Sequence, residues 1–224
     1  MVAGARRVSG TILATILLAV SLLSPPPVGA AIGDREQALA ALAIRDDVEA
    51  RRRGAEALGE WGVMADGPAL TAALRDSDAE VRSSAERSLW LVWSRSGDPA
   101  VDRRFLQGVE QMQRQELDDA IETFTDIIAR KPEFAEGWNK RATAYYLAGE
   151  LDRSLADCDE VMKRNPAHFG ALSGYGMIYL QLGRPDRALG YFERALAVNP
   201  NLAGIEEAVQ AIKRFLEQQP KGTT

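Results

Sequence analysis

Pro132, Pro166 and Pro200 stand 34 residues apart, and the residues between them repeat in register. Gly108, Ala142 and Gly176 share that spacing, as do Ala120, Ser154 and Ala188, then Phe124, Cys158 and Phe192, then Asp118, Asp152 and Asp186. A period of this length marks stacked helical hairpins, each of which buries its apolar face only against a neighbour. The small residues let the two helices of a hairpin approach closely. The aspartates fall near the start of each second helix, where a carboxylate satisfies free amides and the helix dipole. The prolines end one hairpin and pre-set the turn into the next. Cys158, where its counterparts are phenylalanines, reads as a small buried hydrophobe rather than a reactive thiol. After the last copy, Ile205, Ala208, Val209, Ile212, Phe215 and Leu216 form an apolar stripe, which predicts a capping helix over 203–219 and a tail over 220–224.

The second copy carries Trp138-Asn139-Lys140-Arg141-Ala142-Thr143-Ala144-Tyr145, then Gly149, Ser154, Val161 and Pro166; the third carries Leu172, Gly176, Tyr179, Gly183, Ala188, Phe192, Ala195 and Pro200. This pattern resembles the tetratricopeptide repeat. It covers residues 99–202 as three repeats, 101–134, 135–168 and 169–202, and the first departs furthest, with Arg104 and Gln111 where aromatics belong. The resemblance implies a right-handed superhelix whose first helices line a concave groove that holds a protein or peptide segment. The groove positions it implies are Phe105, Val109 and Met112, then Asn139, Lys140, Thr143 and Tyr146, then Ser173, Met177 and Leu180. Arg141 and His168 lie at the edge, where Asn139, Lys140, His168 and Ser173 are expected to converge. The basic clamp by which some such domains grip a chaperone C-terminus is not carried over, because Ser173, Gly174 and Met177 stand where further basic residues are needed. Gly170, Gly174 and Gly176 on one helix predict close approach of a neighbouring helix or a ligand backbone.

A weaker repetition precedes it. Arg51 and Arg82, Gly54 and Ala85, and Leu58 and Leu89 are each 31 residues apart, behind the aspartates Asp47 and Asp78. Residues 31–98 thus resemble two HEAT-like helix pairs. Leu89-Trp90-Leu91-Val92-Trp93 predicts a helix buried on all sides, joining the two repeat types, and Arg51-Arg52-Arg53 predicts a solvated ion-pair face.

Arg6 and Arg7, an apolar run from Ile12 to Leu23, and Val28-Gly29-Ala30 follow the order of a secretory signal. Residues 1–30 are therefore expected to be cleaved near Ala30, leaving a periplasmic or secreted chain with no stable membrane insertion. A formal net charge of −5 provides no electrostatic footprint for nucleic acid. With one histidine and one cysteine, a zinc site of Cys and His is excluded within one chain, and no nucleophile motif accompanies His168, which reads as a hydrogen-bonding residue of its turn. No cofactor and no metal are expected. The sequence thus predicts an all-α right-handed solenoid acting as an exported, non-catalytic interaction scaffold. The alternatives are a self-assembling envelope protein, with Phe215 and Leu216 against another subunit, and an accessory factor in enzyme or cofactor maturation.

Overall fold

The computed structural model describes residues 32–218, so the leader and the tail expected from the sequence lie outside the described residues. Within them the structure is entirely helical, with no strand. The chain divides into two compact units: residues up to Arg95 together with the Asn199–Asn201 turn, and Ser96–Val198 with Leu202 onwards.

The first unit holds α1 (Arg35–Leu42), α2 (Val48–Trp61), α3 (Gly67–Ala73) and α4 (Ala79–Trp93), arranged as two hairpins. Asp34, Asp47 and Asp78 are true N-caps, accepting from Gln37, Ala50 and Val81 amides at 2.9–3.0 Å. The Arg51-Arg52-Arg53 run departs from the solvated face expected of it. Arg52 does pair with Glu49 at 2.7 Å, but Arg51 is buried and grips Asp76 with Nε and Nη2 at 2.7 and 3.0 Å. Arg82, its repeat equivalent, donates to the Asp76 and Ser77 carbonyls at 2.9 and 3.1 Å. Both repeated arginines therefore brace one turn, where the planar guanidinium fits several acceptors at once. The Trp90–Trp93 segment is also less enclosed than expected: Trp90 and Trp93 are buried edge-to-face at 5.4 Å, but Leu91 is 38% exposed.

The second unit stacks α5 (Pro99–Gln113) on α6 (Leu117–Arg130), α7 (Ala135–Ala148) on α8 (Leu151–Arg164), and α9 (Phe169–Gln181) on α10 (Pro185–Val198), closed by α11 (Ala203–Gln218) against α10. The 34-residue spacing is realised as side-chain complementarity. A Cβ added to Gly108 would lie 2.7 Å from the Phe124 ring, and one added to Gly176 would lie 2.3 Å from Phe192. In the middle repeat the equivalent positions hold Ala142 and Cys158, a larger first-helix residue with a smaller second-helix one. The hairpin turns place Gly149 and Gly183 at φ of 81° and 69°, and Gln115 occupies the same left-handed position at 62°. Asp118, Asp152 and Asp186 do fall in the first turns of α6, α8 and α10. The capping residues of α6 and α8 are Glu116 and Glu150, and neither makes a side-chain cap bond. The aspartates thus act through the helix dipole.

Candidate functional site

The first helices of the second unit present the positions read from the sequence as a groove, and the structure divides them into interior and partly accessible residues. Phe105 is an interior residue, edge-to-face with Phe124 at 5.9 Å and with Phe134 at 5.5 Å. Val109, Met112, Asn139, Lys140, Ser173 and Met177 are buried as well. Thr143, Tyr146 and Leu180 are half-buried, and they are the accessible members of the set.

The expected supply of amide and hydroxyl groups is largely engaged within the protein. The Thr143 hydroxyl donates to the Asn139 carbonyl at 2.9 Å, and the Ser173 hydroxyl to the Phe169 carbonyl at 2.8 Å, each one turn back on its own helix. The Asn139 amide donates to Glu136 at 3.0 Å.

Glu136 is the centre of the site and was not singled out by sequence. Its side chain is fully buried, and it receives Asn139, the Lys140 ammonium at 3.3 Å and His168 Nε2 at 2.8 Å. Positions 136, 139 and 140 fall on one helix face by the i, i+3, i+4 rule. His168 arrives from the next repeat, as the N-cap of α9. Its Nδ1 accepts the Ala171 amide at 3.0 Å, so the ring proton sits on Nε2 and donates to the Glu136 carboxylate. Burial pushes the Glu136 carboxyl up, but Lys140 and the hydrogen bonds from His168 and Asn139 more than offset it, holding the group below the ordinary glutamate range. An ionised carboxylate is therefore held inside, matched by one ammonium and two neutral donors. The signal available in the sequence was the separation: 136 and 168 are one repeat less two residues apart, which sets the starts of successive first helices side by side. Of the four residues expected to converge, Asn139, Lys140 and His168 meet at Glu136, whereas Ser173 bonds back into α9.

Arg141 belongs to a second constellation. Its guanidinium holds Asp157 through two bonds of 2.7 and 2.8 Å, reaches Thr125 at 3.0 Å, and lies 5.1 Å from the Trp138 ring centre. Arg164 covers the same ring at 4.6 Å. Two glycines of α9 meet protein: Gly176 faces Phe192, and Gly174 has an ordinary contact distance of 3.7 Å to Cys158. The Cys158 thiol is buried, and burial, reinforced by Asp157 and Asp159, pushes it far above the usual thiol range. Among the described residues no group of His, Cys, Asp and Glu is placed to hold a metal ion, and no helix is long and apolar enough to cross a membrane.

Tetratricopeptide repeat family models match residues 105–161 and 169–202. A TPR repeat-containing protein of Rhizobium etli is 30% identical over 142 residues, covering 63% of this chain and 70% of that one. Small glutamine-rich tetratricopeptide repeat-containing protein 2 of Saccharomyces cerevisiae is 26% identical over 52% of this chain and 32% of its own length. Among solved structures, the first TPR of Spaghetti (RPAP3) bound to an HSP90 peptide aligns with a TM-score of 0.51 at 21% identity, covering 53% of this chain and 94% of that one. The Sgt2 TPR domain from Aspergillus fumigatus aligns with the same score at 20% identity, covering 57% and 89%. With its repeat geometry and these relatives, the chain belongs to the tetratricopeptide repeat proteins.

Proposed function

We propose that this protein is an exported interaction scaffold in which the first-helix face of the tetratricopeptide unit, preceded in the chain by a HEAT-like unit, holds a peptide segment of a partner protein. The observation that carries the reading is the set Thr143, Tyr146 and Leu180, half-buried side chains of two successive first helices. The remaining groove positions are interior and set the spacing of those helices, with the Glu136 network tying the start of α7 to the start of α9. A domain of this fold solved with an HSP90 peptide supports a peptide as the ligand class. The inert Cys158 and the fully engaged His168 support a non-catalytic role. Thr143→Arg combined with Leu180→Glu is expected to abolish capture of the partner from the native cell envelope while helicity stays unchanged. Capture that survives both changes rejects this face. Export predicts that the mature chain recovered from the envelope begins at Ala31, read by intact mass.

Phe215, 51% exposed on the capping helix, favours a second reading, self-association through that helix. Light scattering that returns a monomer at every concentration ends it.

A further inference from the structure

We infer that the outer edge of the third repeat is a docking surface for an acidic, extended segment of a partner protein. Tyr175 and Tyr179 of α9 both stack on Tyr191 of α10, with ring centres 4.4 and 5.5 Å apart and planes within 12° and 17°. Arg184 and Arg187 lie over Tyr179 at 5.9 and 5.6 Å, and Arg194 over Tyr191 at 5.1 Å. All three arginines are exposed, and none pairs with a carboxylate among the described residues. The acids around them are otherwise engaged or turned to solvent. Asp159 accepts the Tyr175 hydroxyl, Glu193 pairs with Lys213 at 2.8 Å, and Asp186 is exposed.

The second repeat supplies the contrast. It builds the same device from Trp138 and Tyr145 with Arg141, Arg153 and Arg164. There each arginine has its own carboxylate, in Asp157, Glu150 and Glu160 at 2.6–2.9 Å. The third repeat keeps the aromatic support and omits the acids, in a chain whose net charge is −5. A guanidinium held beside a ring by cation–π attraction loses little freedom on pairing with a carboxylate. Tyr175 and Tyr179 are themselves buried, so they serve as a fixed base for the charges above them. Carboxylates on alternate residues of an extended segment recur about every 6.7 Å, which lets one strand meet more than one of these arginines. The surface is distinct from the peptide face proposed above: at about 100° per residue, Tyr175 and Tyr179 lie on the side of α9 opposite Ser173, Met177 and Leu180.

The test uses the full chain and a fluorescent hexaglutamate peptide read by anisotropy. Hexaglutamine, an oligothymidylate and vesicles containing phosphatidylglycerol are the comparison ligands. The expected result is saturable, salt-sensitive binding of hexaglutamate. It should weaken at least tenfold in the variant Arg184→Gln/Arg187→Gln/Arg194→Gln. It should change less than twofold in Arg103→Gln/Arg130→Gln/Arg214→Gln, which removes the same charge elsewhere. Equal losses in both variants reduce the effect to net charge and overturn the proposal, as does no saturable binding at millimolar peptide. Oligothymidylate or vesicle binding as tight as that of hexaglutamate, lost in the first variant, assigns the surface to another anion and overturns it too. Because Thr143 and Leu180 are untouched, failure here leaves the peptide-face reading to its own experiment.

Discussion

Replacing Glu136 by Gln keeps the volume of the side chain and removes one negative charge and one acceptor oxygen from the interior. In the native protein the carboxylate receives Nε2 of His168 at 2.8 Å, the Asn139 amide at 3.0 Å and the Lys140 ammonium at 3.3 Å, all within a fully buried site. A glutamine offers one acceptor oxygen and one amide nitrogen. If its oxygen faces His168, its NH2 group confronts the donors Asn139 and Lys140; turned over, it confronts His168 Nε2–H. Either arrangement leaves a donor facing a donor, and Lys140 loses the carboxylate that neutralises it. Breaking a buried pair in this way costs about 3–5 kcal/mol, and one lost hydrogen bond to a charged group costs about 1.5–3 kcal/mol. A destabilisation of about 3 kcal/mol is therefore expected for Glu136→Gln. With a urea slope of roughly 2 kcal/mol/M, the unfolding midpoint followed by circular dichroism falls by about 1.5 M. Glu133→Gln, on the exposed side of the same turn, is expected to stay within about 0.5 kcal/mol. The pH dependence supplies a second readout. The folded carboxyl sits below its unfolded value of about 4.3, so its stabilisation is complete above that pH and is lost as pH falls through the folded value. The gap between wild type and Glu136→Gln must then narrow as the solution is acidified from pH 5 downward. A variant within 0.5 kcal/mol of wild type at neutral pH, or a gap indifferent to acid, refutes the ionised buried carboxylate. Nitrogen NMR of the His168 ring should independently show the proton on Nε2.

Two further outcomes follow from the packing of the hairpins. Gly176→Ala places a Cβ 2.3 Å from the Phe192 ring, and overpacking of about 1–3 kcal/mol should exceed the gain in helix propensity of about 1 kcal/mol; in a Phe192→Cys background, which reproduces the Ala142–Cys158 pair, the same change should stabilise. Equal effects in both backgrounds, in a double-mutant cycle by urea unfolding, contradict the pairing. Cys158 should resist an aromatic disulfide reagent at pH 8 in the native chain and react at once in denaturant, because burial, Asp157 and Asp159 all disfavour its thiolate; prompt native labelling refutes this.

Groups that repeat are legible in the sequence wherever their role depends on position within the hairpin. The period aligns Gly108 with Gly176 and Phe124 with Phe192, and the structure adds that each glycine lies against a phenylalanine ring. Asp118 and Asp152 were half-read: they lie in the first turns, but the side-chain cap was not made, since capping depends on a loop conformation that periodicity does not encode. Arg51 lies between Glu49 and Glu56, a pattern that favours a local ion-pair face, whereas its partner Asp76 is 25 residues away. Phe105 was assigned to a groove by analogy of position, yet Phe134 closes over it from the following turn.

The sequence by itself determined the hairpin period and the helix order, because these follow from chain-local periodicity. Only the tertiary structure decided which polar residues are interior. Glu136, Lys140 and His168 are unremarkable letters until the superhelical turn sets the start of one repeat beside the start of the next and removes water from between them. At that point the cost of burying a charge makes each of them depend on the others.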